Sequence, residues 1–218
     1  FTGITQDLAG MRADSLLNGF HASSSGAFGY DVVLKTNHTF DLYKVTALVT
    51  PSSSCTNVLS QSGWGTWSIK TEQFLSNNPM PANGIIFLDD HVWARGQING
   101  SRVTIASAVF PDNPNTRTNI TVNNSLAYTN LDGTDVLSLI AQKNIQIGMV
   151  SDTNLTLHGA LMAQNGSFQR YYYSPPGAFN NGCSPHHTKT SITTFGMVGS
   201  NKVGGIAYSN GTGYQSRN

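Results

Sequence analysis

Few side chains in this chain of 218 residues have types and spacing that could do chemistry. Asp89-Asp90-His91 is the first group, because carboxylates clustered on a β face can protonate and attack a glycosidic bond. Neighbouring side chains on a strand point to opposite faces, so these two Asp residues alone cannot flank one bond. A partner carboxylate about 5–10 Å away on another segment would be needed, and Glu72 is the sole glutamate. A polar turn is the simpler reading of Asp89-Asp90. Cys183-Ser-Pro-His186-His187 has zinc-ligand residue types, but a zinc site needs three or four converging groups. The stretch from Asn130 to Asp135 resembles a calcium loop, yet its twelfth position is Ala141 where an EF-hand requires Glu. It reads as an Asx turn. No Ser-His-Asp arrangement, phosphate loop or dinucleotide fingerprint is present. No catalytic residue, metal ligand or cofactor is therefore assigned.

Two features remain as contact chemistry. Arg170-Tyr171-Tyr172-Tyr173, with His186 and His187 after it, would suit a protein, glycan or single-stranded nucleic-acid contact if exposed on a loop. Alternatively, the tyrosines continue the strand from Phe168 and pack against the body. Trp64 and Trp67, spaced by Gly65, either stack on sugar rings or cover apolar surface.

The elements that carry these residues are β. Charged residues make up 11% and the surface helix formers Glu and Lys are scarce, which favours strands joined by tight turns. The run Leu139-Ile140-Ala141-Gln142 returns as Leu161-Met162-Ala163-Gln164, and Met197 to Val203 is a looser third copy. A repeat of about 20–30 residues marks a β-solenoid, in which each rung buries its face only on the next. An ordinary β-sandwich is the alternative. The solenoid is expected over 84–218 in about five rungs, with loop insertions at 110–118 and 169–190. Ile105, Ile140, Ile145, Met162, Phe168 and Val198 are expected inward. Residues 1–83 are expected to form an N-terminal cap or irregular β region. Their one plausible helix runs from Asp7 to Asn18, with Leu8, Met11 and Leu17 on one side and Gly19 as its stop. It either covers an open solenoid end or is a frayed terminus.

Cys55 and Cys183 are the only cysteines, and the composition looks extracellular, so a disulfide is expected. Sequons begin at Asn37, Asn99, Asn119, Asn123, Asn154, Asn165 and Asn210 and are read as turns. The net charge of +1 lacks the basic footprint of a dedicated nucleic-acid binder. No apolar run is long enough to span a bilayer, and the start at Phe1 suggests a processed or trimmed ectodomain.

Three stretches resemble a known family. They are the run GIIFLDDHVWARGQINGSRVTIASA (84–108), Asp135 to Ala141 followed by Ala160 to Phe168, and the ending Phe195-Gly196-Met197-Val198 with Val203-Gly204-Gly205 and Gly213-Tyr214. These are similar to β-solenoid ectodomains of bacterial pilin-like surface proteins, including large minor pilins of type IV pilus and competence systems. The resemblance covers the last 135 residues or so and leaves 1–83 unmatched. It implies an all-β, non-enzymatic module at the bacterial cell surface, acting in adhesion or pilus structure. Its partners would be other pilus subunits or surface ligands, protein or glycan, and the membrane would be reached only through a segment outside this sequence. A DNA-binding minor pilin is one alternative, for which Lys143, Arg170, Lys189 and Lys202 would have to align on one face. A polysaccharide-acting β-helix enzyme is the other.

Overall fold

The computed structural model describes residues 2–217, with side chains from Asp7 to Ser216. One helix, α1 (Thr2–Asn18), precedes fifteen strands that share one hydrogen-bonded network. In chain order these are β1 (Phe20–Ala22), β2 (Gly29–Leu34), β3 (Thr39–Leu48), β4 (Ile69–Pro79), β5 (Ile85–Leu88), β6 (Val92–Ile98), β7 (Arg102–Ser107), β8 (Ile120–Thr121), β9 (Leu126–Tyr128), β10 (Val136–Ala141), β11 (Ile145–Ile147), β12 (Asn154–Ala163), β13 (Phe168–Arg170), β14 (Thr188–Ser200) and β15 (Gly213–Arg217). The chain is all-β apart from α1. Pairing between the named strands is parallel except in the antiparallel β2–β3–β4 ladder, so the antiparallel sandwich is not what forms.

Three parallel ladders account for the arrangement. In the first, β1, β5, β7, β10, the end of β12 and the end of β14 lie side by side. The second joins the start of β6 to β8, β11 and β13. The third runs from β2 through β6, β9 and the start of β12 to β14 and β15. Residues from all three ladders meet in one buried cluster that reaches from Tyr30 to Tyr214. Strands β1 and β2 therefore share that core with the strands after residue 84.

Strand parity decides which residues enter the core. Register aligns Ile86, Ile105, Leu139 and Leu161 across the first ladder, and all four are buried. Ile145 is also buried, as expected. Ile140 and Met162 are not inward, because the period of two turns them to the outer face beside inward Leu139 and Leu161. Phe168, in register with buried Ile145, does pack against the core while partly exposed, and Val198 is 46% exposed because it lies on the last aligned strand of the ladder. Ile140 is apolar because the outer face is covered here. It packs with Phe87, Ala106, Ala108 and Leu8 of α1 in a second cluster. Leu139→Ala is expected to cost about 2–5 kcal/mol in urea unfolding, and Ile140→Ala clearly less.

Helix α1 lies against β5 and β1 on this outer face. It begins at Thr2, so Asp7 sits inside it and does not cap it, and Leu17 is exposed. Arg12 grips Asp89 with two bonds of 2.8 and 2.6 Å, and Asn83 donates to the Asp14 carbonyl. Gly19 ends the helix where the backbone passes close to β5. A Cβ there would lie 2.7 Å from Ser15 Cα and 2.8 Å from the Ile85 carbonyl oxygen.

At one corner of the ladders, side chains replace strand pairing. The Asn119 amide donates to His91 Nδ1, Asn144 to Asn119 Oδ1, and Ser167 to Asn144 Oδ1, all within 3.1 Å. Buried backbone donors are thereby satisfied where the chain bends. Two sequon residues, Asn119 and Asn123, are buried and serve as such braces.

Candidate functional site

Two long excursions meet on one flank and form a clasp. The segment from Thr50 to Ser68 is joined to the 171–187 segment by the Cys55–Cys183 disulfide. Ser52 and Ser54 hydroxyls add bonds to the Gly182 carbonyl, and Trp64 Nε1 donates to the Tyr172 carbonyl at 3.0 Å. Tyr171, Tyr173, Met149 and the two cysteines form a separate buried cluster, with Val49, Trp64 and Trp67 packed on it. The tryptophan pair thus covers apolar surface.

Arg170, Tyr171 and Tyr173 are not on an exposed contact loop. All three are buried, and they hold the clasp together. Arg170 Nη2 donates to the carbonyls of His186 at 2.6 Å and Met149 at 3.2 Å, and Nη1 reaches the His187 carbonyl at 3.5 Å. Its guanidinium also lies 4.6 Å from the Tyr173 ring centroid, a cation–π contact. Burial drives the Tyr173 hydroxyl far up, while that hydroxyl donates to the Gly65 carbonyl at 2.8 Å. Only Tyr172, stacked edge-on against Tyr208, and His186 and His187 keep partial exposure. Burial lowers both histidines, with Lys189 and then Arg170 adding to the effect at His186 and Arg170 at His187. Among the described residues, no group of three or more His, Cys, Asp or Glu converges as a metal site would require.

Lys189 is buried below the clasp and donates to the Ser151 carbonyl. Burial, reinforced by Arg170 and opposed by Asp152, pushes its ammonium down to about 8. The unfolded lysine holds its proton up to about pH 10.4. The resulting penalty on folding is full below about pH 8 and fades as the pH rises towards about 10.4. Lys189→Met should therefore stabilise the protein near neutral pH, by about 1–2 kcal/mol after allowing for solvent screening. That gain should vanish towards about pH 10.4 in a pH series of urea unfolding curves.

The strongest grouping of ionisable side chains lies elsewhere. Arg95 of β6 joins Asp31 of β2 to Glu72 of β4, and Asp31 and Arg95 line a cleft of about 170 Å³ whose wall includes Ile69, Trp93 and Val150. Arg95 Nε donates to Asp31 at 2.8 Å and its Nη2 to Glu72 at 2.9 Å. Burial raises the Asp31 carboxyl, Arg95 opposes this, and the nearby Glu72 carboxylate raises it further. The arrangement braces the antiparallel β2–β3–β4 ladder against β6. Composition alone passed over it; the available signal was an Asp in the middle of the apolar strand GYDVVL, where an unpaired charge is costly.

Asp89 and Asp90 are also committed. Asp89 binds Arg12 and His21, and Asp90 accepts from the Ser25 amide and hydroxyl and from the His91 amide. Asp132 accepts the Thr134 amide as an Asx turn does, whereas Asp135 accepts the amides of Asn130 and Ser101 and ties this turn to the one before β7. Of the four cations considered for DNA, Arg170 and Lys189 are buried. No helix among the described residues is long and apolar enough to cross a membrane. No family model, curated protein or solved structure matches the chain.

Proposed function

We propose that this chain is the β-solenoid ectodomain of a pilin-like bacterial surface protein, working outside the cell by contact and not by catalysis, in adhesion or pilus structure. The observation that carries the reading is the in-register stack Ile86, Ile105, Leu139, Leu161 within three parallel ladders around one core. Rungs stacked this way form a stiff body that presents its corner loops at little entropic cost. The disulfide clasp suits an oxidising compartment. Sequence runs similar to pilin-like ectodomains lie on β5 to β7, β10, β12 and β14. The carboxylates considered for hydrolysis are held in ion pairs and turn bonds, which favours contact over enzymatic function.

The test is binding by the purified chain to cells, arrayed glycans and other pilus subunits, alongside a polysaccharide-cleavage assay. Saturable binding without turnover is the expected result. Polysaccharide cleavage that disappears in Asp89→Ala would replace this reading with the enzyme. DNA binding that weakens steeply with salt, with no binding to the other targets, would replace it with the competence pilin.

A further inference from the structure

One corner position recurs along the second ladder. His91, Asn119, Asn144 and Ser167 each stand immediately before a strand: β6, β8, β11 and β13. Register makes them neighbours, since Val92 pairs with Ile120, Ile120 with Ile145, and Ile145 with Phe168. Each of the first three side chains accepts the backbone amide of the next. His91 Nδ1 takes it at 3.0 Å, Asn119 Oδ1 at 3.1 Å and Asn144 Oδ1 at 3.0 Å. The acceptors differ in one respect. An asparagine oxygen accepts at any pH, whereas an imidazolium carries a proton on both nitrogens and accepts nothing in either ring orientation. A backbone N–H can only donate, so Nδ1 of His91 is unprotonated in the fold.

Losing this acceptor matters because the donor is buried. Asn119 is 4% exposed, so its amide reaches water only if the corner opens. The bonds from the Val92 amide to the Asn119 carbonyl and from the Ile120 amide to the Asn144 carbonyl do not depend on the ring, which keeps any opening local. Trp67 of the clasp lies edge-on to His91 at 5.2 Å, and its carbonyl holds Trp93 Nε1 and Asn123 Nδ2. Burial lowers the His91 imidazole, the adjacent Asp90 opposes this, and Lys143 from the corner before β11 adds to it. Trp67, Asn119 and Gly29, which also contact His91, carry no charge. An unfolded histidine titrates near pH 6.5. With the folded value lower, the stabilisation is full above about pH 6.5 and is lost as the pH falls through the folded value.

We propose that His91 is an acid-released fastener: its protonation frees the Asn119 amide and opens the corner between the 110–118 insertion and β8, beneath Trp67, while the asparagine corners stay closed. The corner column thus contains its own controls. Nδ1 of histidine and Oδ1 of asparagine lie the same number of bonds from Cα, so His91→Asn supplies the acceptor already used at the next two corners without the titration.

Amide exchange of the disulfide-intact chain, resolved by residue with NMR and corrected for intrinsic rates, tests this at about pH 7.5 and about pH 4.5. The Asn119 amide should lose about tenfold in protection on acidification, the scale of one buried hydrogen bond. The Asn144 and Ser167 amides should keep theirs. In His91→Asn the Asn119 amide should be equally protected at both pH values. Unchanged Asn119 protection in the natural chain, or equal loss at all three corners, would overturn the proposal without need of the variant. So would an undiminished acid loss at Asn119 in His91→Asn.

Discussion

Arg170→Ala lowers the stability of the fold by about 3–5 kcal/mol, the range seen when one partner of a buried charged contact is removed. The side chain is fully buried, yet it faces three backbone carbonyls and the Tyr173 ring instead of a carboxylate. Its removal leaves the carbonyls of Met149 and His186 buried without their donor and opens a cavity between the body and the clasp. Arg170→Lys should recover only part of the loss. An ammonium is a point charge and cannot reproduce the planar fork that spans these acceptors. Urea unfolding of both variants is the measurement. A loss below about 1 kcal/mol for Arg170→Ala would mean that the carbonyls find other partners.

The second large effect is removal of the disulfide. Cys55 and Cys183 are separated by 128 positions, and closing a loop of that length stabilises by about 4–5 kcal/mol in the chain-entropy account. The paired Cys55→Ser and Cys183→Ser variant should lose that amount in urea. The loss should begin locally. Without the bond, the 50–68 segment keeps the Ser52 and Ser54 contacts to Gly182, the Gln61 contact to the Tyr172 amide and the Trp64 bond. Hydrogen exchange should quicken in the clasp well before it changes in β7, β10 and β12. Uniform acceleration across the chain would show instead that the clasp and the ladders unfold as one unit.

The repeat was legible because it is a register. Leu139 and Leu161, matched 22 residues apart in sequence, are direct neighbours in the parallel ladder. Its other steps were faint because corner loops differ in length, so the same ladder positions recur as Ile105, Leu139, Leu161 and Val198 at unequal intervals. Parity was misread at Ile140 because helix α1 makes the outer face apolar too, and alternation no longer marks the inside. Arg170 could not be placed from sequence, since an arginine beside three tyrosines suits an exposed loop as well as a buried brace. The disulfide was legible from residue count and composition. The Asp31–Glu72–Arg95 group was not, because its members lie on three strands and only the folding back of β3 and β4 brings them together.

The position of the disulfide also sets how this chain would yield to a pull applied at its two ends. Tension would pass from Cys55 directly to Cys183, bypassing everything between them. Only the 54 residues before the bond and the 35 after it could be drawn out. At about 3.4 Å each, they would extend to about 300 Å. Strands β4 to β13, inside the bypassed loop, could not be drawn out while the bond holds. Reducing the bond would release the remaining length, and single-molecule extension traces with and without reductant would differ by about 400 Å.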